Sequence, residues 1–244
     1  MLRVSVLELP ARWGEPEPAL EHVDRLLSVG PTDLAVLPEM ALSGYVSPEA
    51  DFDLSPFAEP IDGRTVRLAA EIARRHGTHL VAPLVLSENG ALYNAAVVVG
   101  PGGGVVATYR KRHPWIPERW ASAGELAPPL FDVGGLQVTI AICYDGHFLP
   151  YDAADVLGRA DLLVFTSAWV DEEDSREPLL RSVARRFGVS VANANWAAGV
   201  VVVPGQGGSC VIDPRGEIVS RVTSVGGGRA DGVVRARSER GRRT

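Results

Sequence analysis

Short apolar runs alternate with amphipathic stretches along most of the chain, a pattern typical of an α/β fold. Apolar residues at helical spacing predict helices over 17–29, 63–76, 150–159 and 175–187. Continuous apolar runs predict strands over 2–8, 33–38, 79–86, 91–99, 105–109, 136–142, 161–166, 189–193, 199–203, 209–213 and 217–222.

The connections between these elements carry further information. Asn89-Gly90 lies between two predicted strands and is a good hairpin signal, so the strands around it should be antiparallel. Proline and acidic residues fill 47–62, which predicts a loop. The segment 112–130 is rich in proline and tryptophan and too irregular for a helix or strand, which makes it a candidate active-site loop.

Length and composition indicate a single domain. The chain has 244 residues, of which 46% are hydrophobic and 22% charged, enough to bury a sizeable core. We therefore predict one domain over 1–244. The last ~15 residues are rich in arginine and serine and are expected to be mobile.

Charge and apolar run lengths exclude several classes of protein. The formal net charge is −6 without long runs of one sign, so neither a nucleic-acid surface nor a polybasic membrane anchor is expected. No apolar run approaches the roughly 20 residues that span a bilayer. The N-terminus resembles a first strand more than a signal peptide, and Cys143 and Cys210 do not suggest a disulfide framework. We expect a cytoplasmic protein that binds small molecules.

Lysine usage singles out one position. Among the 24 lysine and arginine residues, only Lys111 is a lysine. An ammonium is a compact charge that can approach a developing oxyanion, whereas a guanidinium fork often cannot. Either Lys111 is required as an amine, or it is a solvated surface residue that escaped the bias toward arginine.

Three polar residues come just after apolar strand patterns: Glu39, Lys111 and Cys143. Ligands of α/β sheets bind beyond the carboxyl ends of strands, so these side chains could meet in one crevice. A thiol, a carboxylate base and an ammonium are complementary groups for attack on a carbonyl. Taken singly, the cysteine could be a small core residue and the glutamate a turn cap.

The sequence motifs around these residues resemble those of the nitrilase superfamily of carbon-nitrogen hydrolases. They read Leu37-Pro38-Glu39-Met40, Tyr109-Arg110-Lys111-Arg112-His113 and Ile142-Cys143-Tyr144-Asp145. The resemblance runs from the first strand to about Arg221. It implies an α/β fold of the four-layer αββα sandwich type, a Glu-Lys-Cys triad, no cofactor and no metal. It also implies a homodimer or higher homo-oligomer.

The resemblance further implies roles for the residues. Cys143 would attack the carbonyl carbon and form a thioester, and Glu39 would carry the proton to the departing amine. Lys111 and the backbone amide of Tyr144 would stabilise the oxyanion. A second pocket glutamate is implied in a Pro-Trp-rich loop after the lysine. Glu118 is the candidate for this further catalytic residue, with Glu125 as the alternative, and either could instead be a solvated loop acid.

Two more positions bear on the substrate. Trp169, in Ser167-Ala168-Trp169, either lines the pocket or is a core aromatic. His147 stands where several relatives that bind carboxylate-bearing substrates have an arginine, which favours a small neutral amide. Tyr144-Asp145 resembles the amidase and carbamoylase side of the superfamily more than the true nitrilases. Asp145 is expected to cap the next helix or hold the turn at Cys143.

Hydrolysis of a small linear amide to a carboxylic acid and ammonia or an amine is therefore the predicted reaction. A nitrilase or an N-carbamoyl amide hydrolase could use the same triad. A non-catalytic binding member of the fold is the alternative of another class. A papain-like protease fits poorly, because none of the five histidines lies in a matching motif.

Overall fold

The computed structural model describes residues 1–171 and 173–237. Within them the helices are α1 Pro16–Leu27, α2 Arg64–His76, α3 Leu149–Asp152, α4 Ala154–Arg159 and α5 Arg176–Phe187. The strands are β1 Leu2–Glu8, β2 Leu34–Val36, β3 His79–Glu88, β4 Ala91–Val99, β5 Val105–Arg110, β6 Phe131–Val133, β7 Leu136–Ile142, β8 Leu162–Ser167, β9 Ser190–Asn195, β10 Cys210–Ile212, β11 Ile218–Arg221 and β12 Gly228–Val234.

The strands form two mixed sheets of six. In the first sheet the order is β12-β1-β2-β3-β4-β5, with β1, β2 and β3 parallel and the remaining pairs antiparallel. In the second the order is β11-β10-β9-β8-β7-β6, with β7, β8 and β9 parallel. The predicted antiparallel region around Asn89-Gly90 is confirmed as β3, β4 and β5.

The sheets pack face to face and the helices cover their outer faces. Val4 and Val36 of the first sheet share one apolar core with Ile140 and Val164 of the second. Helices α1 and α2 bury an apolar face against the first sheet, and α4 and α5 pack against the second. The chain therefore folds as the expected four-layer αββα sandwich. No helix in the described ranges is both long and apolar enough to cross a membrane.

Most predicted elements are confirmed within a few residues, and the predicted helix over 150–159 is broken at Ala153 into α3 and α4. The predicted strand over 199–203 is wrong. Its apolar run lies in bends, with Val200 and Val202 exposed. The Gln206 side chain replaces a neighbouring strand here: it donates to Ala197 O and Val201 O and accepts from Val203 N.

Two strands lack an apolar signal strong enough to be predicted, β6 and β12. Strand β12 pairs with the whole of β1, from Leu2 opposite Val234 to Glu8 opposite Gly228. It takes up part of the segment expected to be mobile, because backbone pairing and the Ser5–Asp231 hydrogen bond replace apolar burial. The remainder of that prediction, from residue 238 onward, lies outside the described residues.

Candidate active site

The ends of strands from both sheets bring the predicted polar residues together. Glu39 follows β2 by three residues, and its backbone N–H donates to Ser167 O at the end of β8, 3.3 Å away. Lys111 follows β5 directly and continues the pairing with β4, because its N–H donates to Asn94 O at 2.8 Å. Cys143 follows β7 directly. The candidate site therefore lies where the two sheets meet.

A buried ion cluster forms the floor of this site. Lys111 Nζ donates to Glu39 Oε1 at 2.7 Å and to Glu118 Oε1 at 2.6 Å. The exposed fraction is 0% for Lys111, 2% for Glu39 and 3% for Glu118. An ammonium held by two carboxylates in a buried site is fixed in position and cannot relax into water.

Two residues that the sequence did not single out complete the cluster. Asn94 Nδ2 donates to Glu39 Oε1 at 2.7 Å and to Glu118 Oε2 at 3.2 Å, while Tyr45 OH donates to Glu118 Oε1 at 2.8 Å. Asn94 could have been noticed in the sequence, because it is a polar amide next to the apolar run that ends β4. Tyr45 could not have been, because it lies in a loop between β2 and α2 where no pattern marks it.

Burial and mutual charge set the protonation of the cluster. Burial raises the pKa of Glu118, and the neighbouring Glu39 carboxylate adds to the rise while Lys111 opposes it. Burial alone would lower the pKa of Lys111, but the two carboxylates outweigh burial and raise it. Lys111 is therefore an ammonium at neutral pH.

Cys143 sits on a tight turn that Asp145 holds in place. The backbone of Cys143 is left-handed, with φ of 46°, a conformation that costs energy for a residue with a side chain. Asp145 Oδ2 accepts from Ile142 N at 3.2 Å and from Tyr109 OH at 2.9 Å, and Oδ1 accepts from His113 N at 2.9 Å. Asp145 thus holds the turn, as expected, and the strain is compensated by these bonds.

The cysteine sulfur and the Glu39 carboxylate share a neighbour. Ala168 N donates to Glu39 Oε2 at 2.9 Å and also interacts with the Cys143 sulfur. Burial raises the pKa of Cys143, the Glu39 carboxylate raises it further, and Lys111 opposes both. The resting side chain is therefore a neutral thiol, which needs a base at the moment of attack.

A cavity of about 150 Å³ opens above Cys143. Its aromatic and apolar walls are Trp115, Tyr144, Ala168, Trp169 and Val170, and its polar lining is Cys143, His147, Asp171 and Ser175. The three expected pocket residues, Tyr144, His147 and Trp169, therefore all border the cavity. The His147 and Trp169 rings lie 5.4 Å apart between centroids.

The structure also separates the two candidate glutamates. Glu118 is in the ion cluster, whereas Glu125 is exposed and borders a different groove with Glu88 and Tyr93.

Gly124 allows the loop to return close to strand β5. Its N–H donates to Lys111 O, and an added Cβ would lie 2.3 Å from Arg110 O. Glycine at this position allows the loop to run close to the end of β5 and enclose Lys111.

Comparison with known proteins identifies the family. A family model of carbon-nitrogen hydrolases matches residues 3–228. This chain belongs to the carbon-nitrogen hydrolase family. The resemblance to the nitrilase superfamily, on its amidase-like side, is thereby confirmed.

Relatives of this carbon-nitrogen hydrolase carry several activities in their names. It is 27% identical to a nitrilase from Pyrococcus abyssi, over 90% of this chain and 84% of the relative. It is also 27% identical to the 2-oxoglutaramate amidase of Bacillus subtilis, over 96% of this chain and 89% of the relative. These relatives agree with an amidase-like enzyme of the superfamily, and the activities in their names differ from one another.

Solved structures of one amidase are close in fold. A glutamate-to-glutamine variant of the amidase from Nesterenkonia sp. AN1, with acrylamide added to its active-site cysteine, superposes with a TM-score of 0.84 at 27% identity. The superposition covers 100% of this chain and 97% of that one. A cysteine-to-alanine variant of the same amidase in complex with butyramide gives a TM-score of 0.83 at 26% identity, covering 99% and 96%.

The rest of the described surface of this carbon-nitrogen hydrolase shows no comparable chemistry. A larger groove of about 720 Å³ is bordered by β10, β11 and β12, but none of the cluster residues reaches it. Within residues 1–171 and 173–237, no group of three histidine, cysteine, aspartate or glutamate side chains is arranged to hold a metal ion.

Proposed function

We propose that this carbon-nitrogen hydrolase cleaves short linear amides into a carboxylic acid and ammonia or an amine through a thioester on Cys143. The observation that carries this proposal is the buried Lys111 ammonium, fixed between Glu39 and Glu118 beside a cysteine that borders a cavity. This arrangement combines a nucleophile, a base and a preorganised positive charge in one enclosed site.

Acylation begins with the neutral thiol. Glu39 accepts the Cys143 proton while the sulfur attacks the carbonyl carbon of the amide. The carbonyl oxygen becomes an oxyanion, which the Lys111 ammonium and the Tyr144 backbone N–H stabilise. The intermediate then collapses: the carbon-nitrogen bond breaks, the nitrogen takes the proton from Glu39, and ammonia or an amine leaves.

Deacylation repeats the sequence with water. Glu39 removes a proton from a water molecule, the hydroxide attacks the thioester, and the carbon-sulfur bond breaks. The acid leaves and Cys143 recovers its proton from Glu39. Glu118 is assigned a positioning role, because it accepts a second hydrogen bond from Lys111 Nζ and is itself held by Tyr45 and Asn94.

Cavity size and lining support a short substrate without a carboxylate. A volume of about 150 Å³ accommodates an acyl chain of only a few carbons. None of the described residues that line it is an arginine or a lysine, so a carboxylate on the substrate would meet no cationic partner among them. Butyramide, which binds the structurally similar amidase, is a suitable first test compound.

The proposal is tested with a matched amide and nitrile. Purified protein is incubated with butyramide or butyronitrile, and ammonia is measured, with the Cys143→Ala variant as the control. Ammonia from butyramide together with a butyryl adduct on Cys143 by mass spectrometry is the expected result. Ammonia from butyronitrile alone would replace the proposal by a nitrilase. No adduct and no ammonia from any amide in a short-chain panel would leave a non-catalytic binding protein.

A further inference from the structure

The cavity beside Cys143 contains one strong charge among its described lining residues. Asp171 borders it, together with Ser175 and aromatic walls that include Trp115 and Trp169. The only other titratable groups among the described lining residues are Cys143, a tyrosine and a histidine. The mechanism proposed above does not use Asp171.

Hydrogen bonds fix the Asp171 carboxylate at this position. Its Oδ2 accepts from Ser175 N at 3.0 Å and from the Ser175 hydroxyl, and its Oδ1 accepts from Glu173 N at 3.1 Å. The Trp169 side chain also interacts with the carboxylate. The hydrogen bond from Ser175, followed by those from the backbone, lowers the pKa of Asp171 to about 2, so the group is ionised at neutral pH.

Within residues 1–171 and 173–237, no lysine, arginine or histidine forms an ion pair with Asp171. Lys111 is held by Glu39 and Glu118 in the buried cluster. Arg176 is the residue that follows Ser175, but its Nη2 donates to Asp174 Oδ2 and to Gly207 O, both at 3.0 Å. The described lining of the cavity therefore carries one negative charge, at Asp171, which attracts a cationic substrate group and repels an anionic one.

We propose that Asp171 selects amides whose short acyl chain ends in an ammonium group and rejects amides whose chain ends in a carboxylate. This inference rests on the proposed amide hydrolysis and names its substrate class. It distinguishes this chain from a relative such as the 2-oxoglutaramate amidase, whose substrate by its name is a carboxylate. Charge selection of this kind uses attraction and repulsion together.

Three amides of matched shape test the proposal. They are 4-aminobutanamide, pentanamide and glutaramate, which are cationic, neutral and anionic. Rates are measured at pH 8 for all three amides. For the wild type we expect kcat/KM to fall in that order, with about a ten-fold difference between the two charged amides, because the exposed Asp171 carboxylate is screened by water. Raising the salt concentration to 0.5 M should reduce this difference several-fold.

The variant Asp171→Asn should reduce the ratio between the charged amides several-fold while changing kcat/KM for pentanamide less than two-fold. The matched control is Asp174→Asn, which removes the same charge from a nearby carboxylate that pairs with Arg176 and is not in the cavity lining. That control should keep the wild-type ratio. Thermal melting of each variant verifies that it is folded.

The outcomes separate this inference from the proposed function. Hydrolysis of pentanamide without a charge preference or salt dependence overturns the role of Asp171 alone. An equal effect of Asp171→Asn and Asp174→Asn overturns it as well, since it would reflect the general charge of the segment. If none of the three amides is hydrolysed, the proposed function fails and the inference fails with it.

Discussion

Two buried cysteines of this chain each lie near a cation and a carboxylate, but their surroundings differ. Cys143 is 8% exposed, borders the cavity and lies beside Lys111 and Glu39. Cys210 is 2% exposed and lies near Arg176, which in turn interacts with Glu8. The same three kinds of group therefore occur twice.

Backbone conformation and the shape of the cation separate the two clusters. Cys143 is on a left-handed turn beyond β7, whereas Cys210 is within β10, which pairs with β9 on one side and β11 on the other. Lys111 presents a compact ammonium to the carboxylates beside Cys143. Arg176 uses its guanidinium to hold Asp174 and Gly207 O, which is a structural role. Access and geometry, rather than composition, are therefore what favour Cys143 over Cys210 as the proposed nucleophile.

The largest expected effect comes from Cys143→Ala. Removal of the nucleophile prevents thioester formation, so kcat for butyramide should fall by about 10⁴-fold or more. Because alanine fills a similar small volume, the melting temperature should change little. Ammonia release and circular dichroism measure the two quantities. Residual activity within ten-fold of the wild type would mean that another residue is the nucleophile.

The next effect compares the two cations. Lys111→Met removes the charge that stabilises the oxyanion and should lower kcat by about 10² to 10³-fold. Arg176→Met removes a buried charge from the other cluster and should lower the free energy of unfolding by about 2–4 kcal/mol, with kcat of the folded protein within a few-fold. Urea unfolding and steady-state kinetics distinguish them. Equal losses of kcat in both variants would contradict the division between a chemical and a structural cluster.

Glu118→Gln tests the electrostatics of the cluster formed by Lys111, Glu39 and Glu118. Loss of one carboxylate loosens Lys111, and kcat should fall by about 10 to 100-fold. The folded state raises the pKa of Glu118, so it retains its proton at pH values where the unfolded chain has lost it. In the wild type this contribution to stability declines as pH rises above the unfolded value of about 4.3.

Glutamine does not titrate, so the stability of Glu118→Gln relative to the wild type should increase from pH 5 toward pH 8. Urea unfolding at several pH values measures this difference. The variant Glu125→Gln, which removes an exposed carboxylate from the same loop, is the control. A parallel curve for Glu118→Gln would contradict the raised pKa.

The smallest effect is expected for Cys210→Ala. Loss of a buried thiol within β10 should lower the free energy of unfolding by about 1 kcal/mol and leave kcat within two-fold of the wild type. Iodoacetamide should inactivate this variant as fast as the wild type, because its target is Cys143. Slower inactivation would indicate that Cys210 takes part in the chemistry.

The sequence was most informative where apolar burial or a motif marks a position. Helix α2 ends at His76, as the predicted range 63–76 has it, because the next residue, Gly77, adopts the left-handed conformation with φ of 61°. The apolar run 199–203 shows where prediction from apolar patterns fails. Its β-branched residues favour a strand, but a strand forms only where another strand is available for pairing. Strand β12 shows the converse, because its backbone pairing with β1 needs little apolar content.

Apolar patterns in the sequence determined the α/β class, and the motifs around Glu39, Lys111 and Cys143 carried the resemblance that implies the αββα layering. Both kinds of signal lie in residues that are neighbours in the chain. Only the tertiary structure chose Glu118 over Glu125, added Asn94 and Tyr45 to the cluster, and brought Asp171 into the cavity. The physical reason is that these relations are distances and desolvation between segments far apart in the chain. Such quantities arise when the two sheets pack together.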